Sequence, residues 1–437
     1  MPSSVARLTP RVLLLWVLLG VLLPRLSPLR PVYLVNTYLL VPALLGAVLL
    51  ERMLRPRSRA GFRAGASDAA LAAFLLMAVV SIALQDQPPA VARQNLTGLW
   101  RTFLVPFAAF WAIRLARPRE RELAAWVPAL AALCVVEVAV GFLAWFRPSA
   151  LPGFWPGSVG ETGGVRIAGT LPQADVYAAV LVLCATFLID FGAAAASDAA
   201  RWLAGGGVAL AFTGVFLSFS RASWLGGLVA LGVLAVAHGR RVAVPCVAIA
   251  VAVTALSRAP ARRAERPASR PTAVASTQKA ESYATTRLTT TRSITDRIVL
   301  GAAGLRMSLE KPLFGWGFGT YDRHARAFVA PVGRFVPTDW AKNEAASHCT
   351  HLSILAEMGI LGYSLLAFPV VRLATATFLG RRARRRDRRL VGLWAIVAFL
   401  AVVSVFVDLR YVALSLGLGG LTLGLIAVRV EADEPDR

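Results

Sequence analysis

Two short stretches hold residue types suited to handling a phosphate and a proton. Ser220-Arg221-Ala222-Ser223 interrupts the apolar runs Thr213–Phe219 and Trp224–Ala237. His348 closes the only long hydrophilic stretch, just ahead of an apolar run that opens at Leu352. A guanidinium presents a planar fork of donors that matches phosphate. An imidazole is largely neutral near pH 7 and accepts a proton. On one side of a membrane such a pair suits one reaction, in which the arginine holds a phosphate leaving group and the histidine activates an acceptor hydroxyl. For Arg221 a plainer role stands beside this one, an interfacial arginine that snorkels to lipid headgroups. Its serine neighbours and the tight turn favour anion binding.

The remaining titratable residues add weaker signals. His348 and His351 are three apart at the expected start of a helix, a spacing at which their side chains could share a face. Asp339 and Glu344 lie near, but the spacing fits no metal motif, so neither a metal nor another cofactor is expected. Cys349 beside His348 makes a poor nucleophile pair, because adjacent side chains on a helix point apart. His238 reads as a boundary residue. Arg101, Glu137, Asp175, Asp190, Asp408 and Arg410 fall inside or at the edges of apolar runs. Such charges either serve function or neutralise one another, Arg101 with Glu137 and Asp408 with Arg410. Cys134, Cys184 and Cys246 sit in apolar runs as small fillers.

The elements that must position these residues are membrane helices. The chain has 437 residues, 57% of them hydrophobic, and a mean hydropathy of +0.62. Its repeated apolar stretches have the length a bilayer demands, roughly 17–25 residues, and the helix is the spanning element. The expected fold is an all-α polytopic membrane protein of about twelve spans. They run near 11–27, 32–50, 68–85, 98–116, 122–146, 171–192, 202–219, 222–238, 241–257, 352–378, 390–408 and 411–429. The first run lacks a small-residue cleavage site and reads as a retained helix.

Charge then orients the spans. The net charge is +23, which in a soluble chain would suggest nucleic acid. Here the arginines cluster in short loops: Arg52 to Arg63, Arg114 to Arg121, Arg240-Arg241 and Arg381 to Arg389. With a cytoplasmic N-terminus all four loops fall on the cytoplasmic side, as the positive-inside rule requires. Nucleic acid is therefore excluded as a partner, and anionic membrane lipids are expected ones. Residues 1–257 then hold spans one to nine. Residues 258–350 form one long external loop, flexible through Thr291. An amphipathic helix follows, which Asp296 helps to begin. Residues 351–437 hold the last three spans and a cytoplasmic tail.

Several motifs in this frame resemble the bacterial O-antigen ligase and polymerase superfamily. Ser220-Arg221-Ala222-Ser223-Trp224-Leu225-Gly226 is similar to its Ser-Arg-Gly/Ala-x-Trp-Leu-Gly turn. Asp296-Arg297, followed by Lys311-Pro312-Leu313-Phe314-Gly315-Trp316-Gly317, resembles its external-loop helix. His348-Cys349-Thr350-His351-Leu352, running on through Ala356-Glu357-Met358-Gly359-Ile360-Leu361-Gly362, resembles its His-Asn-x-Tyr/Phe-Leu segment. Gly169-Thr170-Leu171 with Asp175 is similar to its Gly-Thr-Phe…His-Pro-Asn element. Cys349 and His351 stand where Asn and an aromatic are usual, and Gln173-Ala174 and Asp175 where His-Pro and Asn are.

The resemblance implies a GT-C-like fold and a metal-independent, inverting glycosyltransferase of the bacterial inner membrane, its active site facing the periplasm. The implied donor is a glycan on undecaprenyl diphosphate. The acceptor is lipid A-core for a ligase, another lipid-linked repeat for a polymerase, or a protein hydroxyl. Matching positions give His348 as the base and Arg221 and Arg297 as diphosphate contacts. Ser220, Arg306, Asp175, Arg166 and His351 are secondary candidates. The ligase-like transferase is the leading reading. A polyprenyl-lipid transporter would predict inverted or parallel repeats between the two halves, and the large single loop with clustered Arg and His argues against that. A scaffold gives no reason for Arg221 and His348 to share a side.

Overall fold

A computed structural model describes residues 4–23, 32, 34–54, 65–146, 150, 167–171, 174–192, 197–218, 220–239, 292–329, 347–379, 387–411 and 413–432. All regular structure among them is helical. Two helices occupy the positions expected of the first two spans: α1 (Ser4–Leu22), and α2 (Val41–Leu54), which is entered through a π-helical turn at Val35–Leu40. Then come α3 (Ala66–Ala83), α4 (Pro89–Ala116, π-helical over Trp100–Leu104) and α5 (Trp126–Phe146, entered through Glu120–Ala124). They are followed by α6 (Ala174–Gly192), α7 (Asp198–Leu217) and α8 (Arg221–His238). The second half holds α9 (Arg292–Glu310), α10 (Tyr321–Phe328), α11 (Thr350–Phe378), α12 (Arg388–Phe406) and α13 (Ala413–Ala432).

Among the described residues nine of these helices, α3 to α8 and α11 to α13, are long and apolar enough to cross a membrane. The protein is thus a multi-pass membrane protein, since lipid offers backbone groups no partner outside a helix. The span expected at 241–257 lies outside the described residues, as do Arg166, Asp339, Glu344 and residues 258–291. The external-loop helix begins at Arg292, one turn before Asp296.

Contacts sort the helix ends into two groups. At one end His238 Nε2 lies 3.2 Å from Asp190 Oδ1. There Arg114 also pairs with Asp68 and Glu431, and Arg429 bonds Glu120 and Asp387 at 2.9 and 3.0 Å. At the other end Asn36 donates to the Trp16 carbonyl at 3.1 Å, Trp100 Nε1 to the Tyr38 carbonyl at 2.7 Å and Thr350 Oγ1 to the Val407 carbonyl at 3.0 Å. Helix ends therefore alternate along the chain. The described flanks of the arginine-rich loops all lie at the first end, which agrees with the charge pattern.

Small residues let the helices approach closely, as is common where lipid supplies no hydrophobic drive. Gly226 of α8 lies against Phe399 and Val403 of α12, and Gly424 of α13 lies against Phe110 and Ile113 of α4. Gly207 of α7 meets Ala131 of α5.

The expected Arg101–Glu137 pair does not form. Glu137 is fully buried and accepts instead from the Thr170 backbone N–H at 3.0 Å and from the Thr170 hydroxyl. That hydroxyl also lies 2.9 Å from the Val21 carbonyl. The reason lies in packing, for α5 packs on α6 and α7, whereas α4 packs on α13 and α2. Arg101 Nε has no partner among the described residues.

Candidate active site

The serine–arginine turn is rigid because its own side chains close it. Ser220 caps α8, accepting from the Ser223 N–H at 3.3 Å, and its backbone N–H donates to Ser218 Oγ at 3.2 Å. Trp224 Nε1 donates to the Val215 carbonyl at 2.9 Å, and the indole stacks on Phe216 with centroids 5.5 Å apart. Ser220 is buried and bonded to Ser223, so it shapes the turn, while Arg221 is half-buried at the first position of α8. Arg221 precedes Gly226 by five residues, about 7.5 Å along a helix. Since Gly226 packs on Phe399 and Val403, Arg221 lies near the level of the C-terminus of α12 and the loop that follows it.

That loop closes over the start of α11. Thr350 Oγ1 receives the Leu409 N–H at 2.8 Å. Arg410 donates through Nε and one terminal nitrogen to Asp408, the latter at 2.7 Å, and through the other to Glu357 Oε2 at 2.7 Å. The second span-edge pair expected from the sequence, Asp408 with Arg410, thus forms, and Glu357 makes it a triad. Both carboxylate side chains are 2% exposed. Burial alone would raise the Asp408 carboxyl, but the Arg410 charge and the Arg410 and Ser353 bonds outweigh it, so its pKa falls below the ordinary value.

Asp408 reaches the histidine segment through two serines. A carboxylate only accepts, so the Ser353 hydroxyl donates to Asp408 Oδ2, at 2.8 Å. Ser353 Oγ also contacts Ser347 Oγ, and the Ser347 hydroxyl donates to the Cys349 carbonyl at 2.7 Å. Ser347 Oγ in turn accepts the Cys349 N–H at 3.0 Å. The chain runs from Cys349 N–H through Ser347 and Ser353 to a buried carboxylate and brackets residue 348 on both sides. His348 is held there at φ +53°, a conformation uncommon for a residue other than glycine.

The two loop histidines do not share a helix face, contrary to the sequence expectation. Cys349 is the cap residue of α11, so His348 precedes the helix and His351 lies in its first turn. His351 is occupied on both ring nitrogens, by Tyr363 Oη at 3.1 Å and Ser404 Oγ at 2.7 Å. It is a packing residue tying α11 to α12. Burial pushes the Cys349 thiol up, which disfavours a thiolate nucleophile.

Arg297 reaches the same region along α9. Residues 297, 301 and 304 share one helix face, and Gly301 and Gly304 abut Leu352 of α11. Arg306 lies half a turn away from that face. It is exposed, and its guanidinium donates to the Phe328 carbonyl at 3.0 Å. Of Arg297 and Arg306, Arg297 is therefore the one on the face toward the His348 segment. Asp175 is half-buried in the first turn of α6. No cluster of three or more metal-ligating side chains occurs among the described residues.

Residues 206–367 match the family model described as O-antigen ligase. The motif resemblance to the O-antigen ligase and polymerase superfamily is thereby supported. No curated protein matches the chain. The matched region contains Arg221, Arg297, His348 and Glu357, while Asp408 and Arg410 lie beyond it and bind it from the loop between α12 and α13.

The geometry of the matched region accounts for its Gly-Trp-Gly segment. Helix α11 is broken at Gly359, whose φ of 63° and ψ of −172° are non-helical. The break releases two carbonyls and two N–H groups, which in an apolar setting need partners. Trp316 and Gly317 donate to the Ala356 and Glu357 carbonyls at 2.9 and 2.8 Å. Ile360 and Leu361 donate to the Pro312 and Leu313 carbonyls at 2.8 and 3.2 Å. Gly319 and Tyr321 then donate to the Glu357 carboxylate at 2.9 and 3.1 Å. Glu357 is thus the organising residue that sequence reasoning missed. A lone carboxylate five residues after Leu352, in an otherwise apolar run, is the available signal.

Proposed function

We propose that this protein transfers a glycan from undecaprenyl diphosphate to an acceptor hydroxyl at the periplasmic face of the bacterial inner membrane, in the manner of an O-antigen ligase. One observation carries the reading: Arg221 and the face of α9 bearing Arg297 lie at the same end of the helix assembly as His348, away from the arginine-rich loops.

In the proposed reaction His348 takes the acceptor proton as the acceptor oxygen bonds the anomeric carbon. The bond from that carbon to the diphosphate oxygen breaks, and its electrons leave with the diphosphate. Attack opposite the leaving group inverts the anomeric centre. Arg221 and Arg297 hold the departing charge, each charge-assisted bond contributing about 1.5–3 kcal/mol. A positioned base typically adds about 10²–10⁴-fold.

The test is transfer by purified protein in nanodiscs, with an undecaprenyl-diphosphate glycan as donor and either lipid A-core or a second lipid-linked repeat as acceptor. A lipid A-core product supports the ligase reading. Chain extension alone makes the protein a polymerase, and donor hydrolysis with no glycan on either lipid acceptor or on a protein hydroxyl would sink the transferase reading.

A further inference from the structure

Helix α9 carries an apolar stripe that no other described residue covers. Ile298, Leu305 and Leu309 are 64, 48 and 71% exposed, and Leu313 and Phe314 just beyond the helix are 62 and 63% exposed. The three helical positions follow i, i+7 and i+11 and so line one face. The opposite side is spent inside the protein, where Met307 packs with Tyr321 and Ala325, and Tyr321 Oη donates to the Leu300 carbonyl.

The depth of this stripe follows from α3 and α11. Ser81, near the end of α3, contacts Met358 Sδ at 3.9 Å, and Ser67, near its start, meets Arg372 at 3.4 Å. The two helices therefore run antiparallel in register, and Gly359 lies where α3 ends. Residues 360–378 then measure roughly 28 Å at 1.5 Å per residue, close to the ~30 Å hydrocarbon core. The preceding turns of α11 fold back, because His351 reaches both Tyr363 and Ser404. Helix α9 runs beside these turns and leads into Pro312 and Leu313, whose carbonyls accept from the Ile360 and Leu361 N–H groups. Those two residues are 49 and 43% exposed at the head of a span, so the stripe continues the lipid-facing surface.

We propose that the apolar stripe of α9, with Leu313 and Phe314, beds in the phospholipid at the membrane boundary. Continuity with Ile360 and Leu361 selects lipid over a protein partner. Such burial is characteristic of amphipathic helices lying in the membrane plane. It ties α9 to a fixed depth and sets the height of Arg297 above the hydrocarbon.

Photo-crosslinking tests this. Benzoylphenylalanine replaces Leu309 or Phe314 in the full chain, in nanodiscs of phosphatidylethanolamine and phosphatidylglycerol, with Leu361 as lipid-facing reference and Arg306 as polar-face control. Mass spectrometry should find phospholipid adducts at 309 and 314 in yields comparable with 361, and little at 306. A crosslinked second copy at 309 or 314 overturns the proposal in favour of self-association. So does the absence of lipid adducts there while 361 labels. Position 305 repeats the reading if either variant fails to fold.

Discussion

His351 lies 2.7 Å from the Ser404 hydroxyl through Nε2, while its Nδ1 meets Tyr363 at 3.1 Å. A ring with both nitrogens engaged in packing is poorly placed to accept a proton from a substrate. His348, outside the helix and at φ +53° beside Ser347, is therefore the base in the proposed reaction. His348→Ala should therefore lower transfer by roughly 10²–10⁴-fold while leaving donor affinity nearly unchanged. His351→Phe should lower the melting temperature and keep most of the turnover of the folded fraction. Activity surviving in the first variant and vanishing in the folded second would reverse the assignment.

The arginines should separate by geometry. Arg221→Lys and Arg297→Lys keep the charge but lose the forked donor that a diphosphate engages, so both should lose most activity at matched expression. Arg306→Lys should behave like wild type, because Arg306 faces away from α11 and is spent on the Phe328 carbonyl. Comparable losses in all three variants would point to general surface charge and not to specific contacts.

Much of this arrangement was legible in the sequence, for identifiable reasons. Apolar length and arginine placement marked the spans, since both are set by the bilayer and need no tertiary knowledge. The Asp408–Arg410 pair could be named because its members are two residues apart. The proposed Arg101–Glu137 pair failed because choosing between distant partners needs helix neighbours: Glu137 found Thr170, 33 residues on. The fold-back of α11 was illegible as well. Met358-Gly359-Ile360 reads as continuous helix, and only the docked Pro312–Gly317 segment makes a break there tolerable. The spacing of His348 and His351 likewise hides that they part, because a cap at Cys349 has no strong local signature.

That break makes Gly359 and Gly315 sensitive positions. A side chain at Gly359 would meet the Leu313 carbonyl, and its φ and ψ are essentially glycine-only. A side chain at Gly315, at φ +68°, would meet the Glu357 carbonyl. Gly359→Ala should cost more than the roughly 1–3 kcal/mol of backbone strain, because the docked loop must also move. Limited proteolysis between α9 and α10 should accelerate in this variant. Unchanged protection would mean that the loop holds without the break.

Asp408 offers a test that combines charge and pH. Its carboxyl is buried, yet Arg410 and Ser353 keep it ionised below the ordinary range. A group with a lowered folded pKa contributes stability that is complete above its unfolded value of about 3.9 and is lost as pH falls through the folded one. Removing one partner of a buried pair typically costs about 3–5 kcal/mol, and Asp408→Asn should fall at the low end because Glu357 still holds Arg410. The melting-temperature gap between wild type and Asp408→Asn should stay constant from about pH 8 to about pH 5, then close only in the acid limb near and below the unfolded value. Ser353→Ala, which cuts the serine chain but leaves the ion pair, should stabilise less than wild type and more than Asp408→Asn. It should also lower kcat more than it raises KM, since it loosens the backbone that holds His348. A gap that closes already between pH 7 and 5 would show that Asp408 titrates near neutrality, and that Arg410 does not dominate its surroundings.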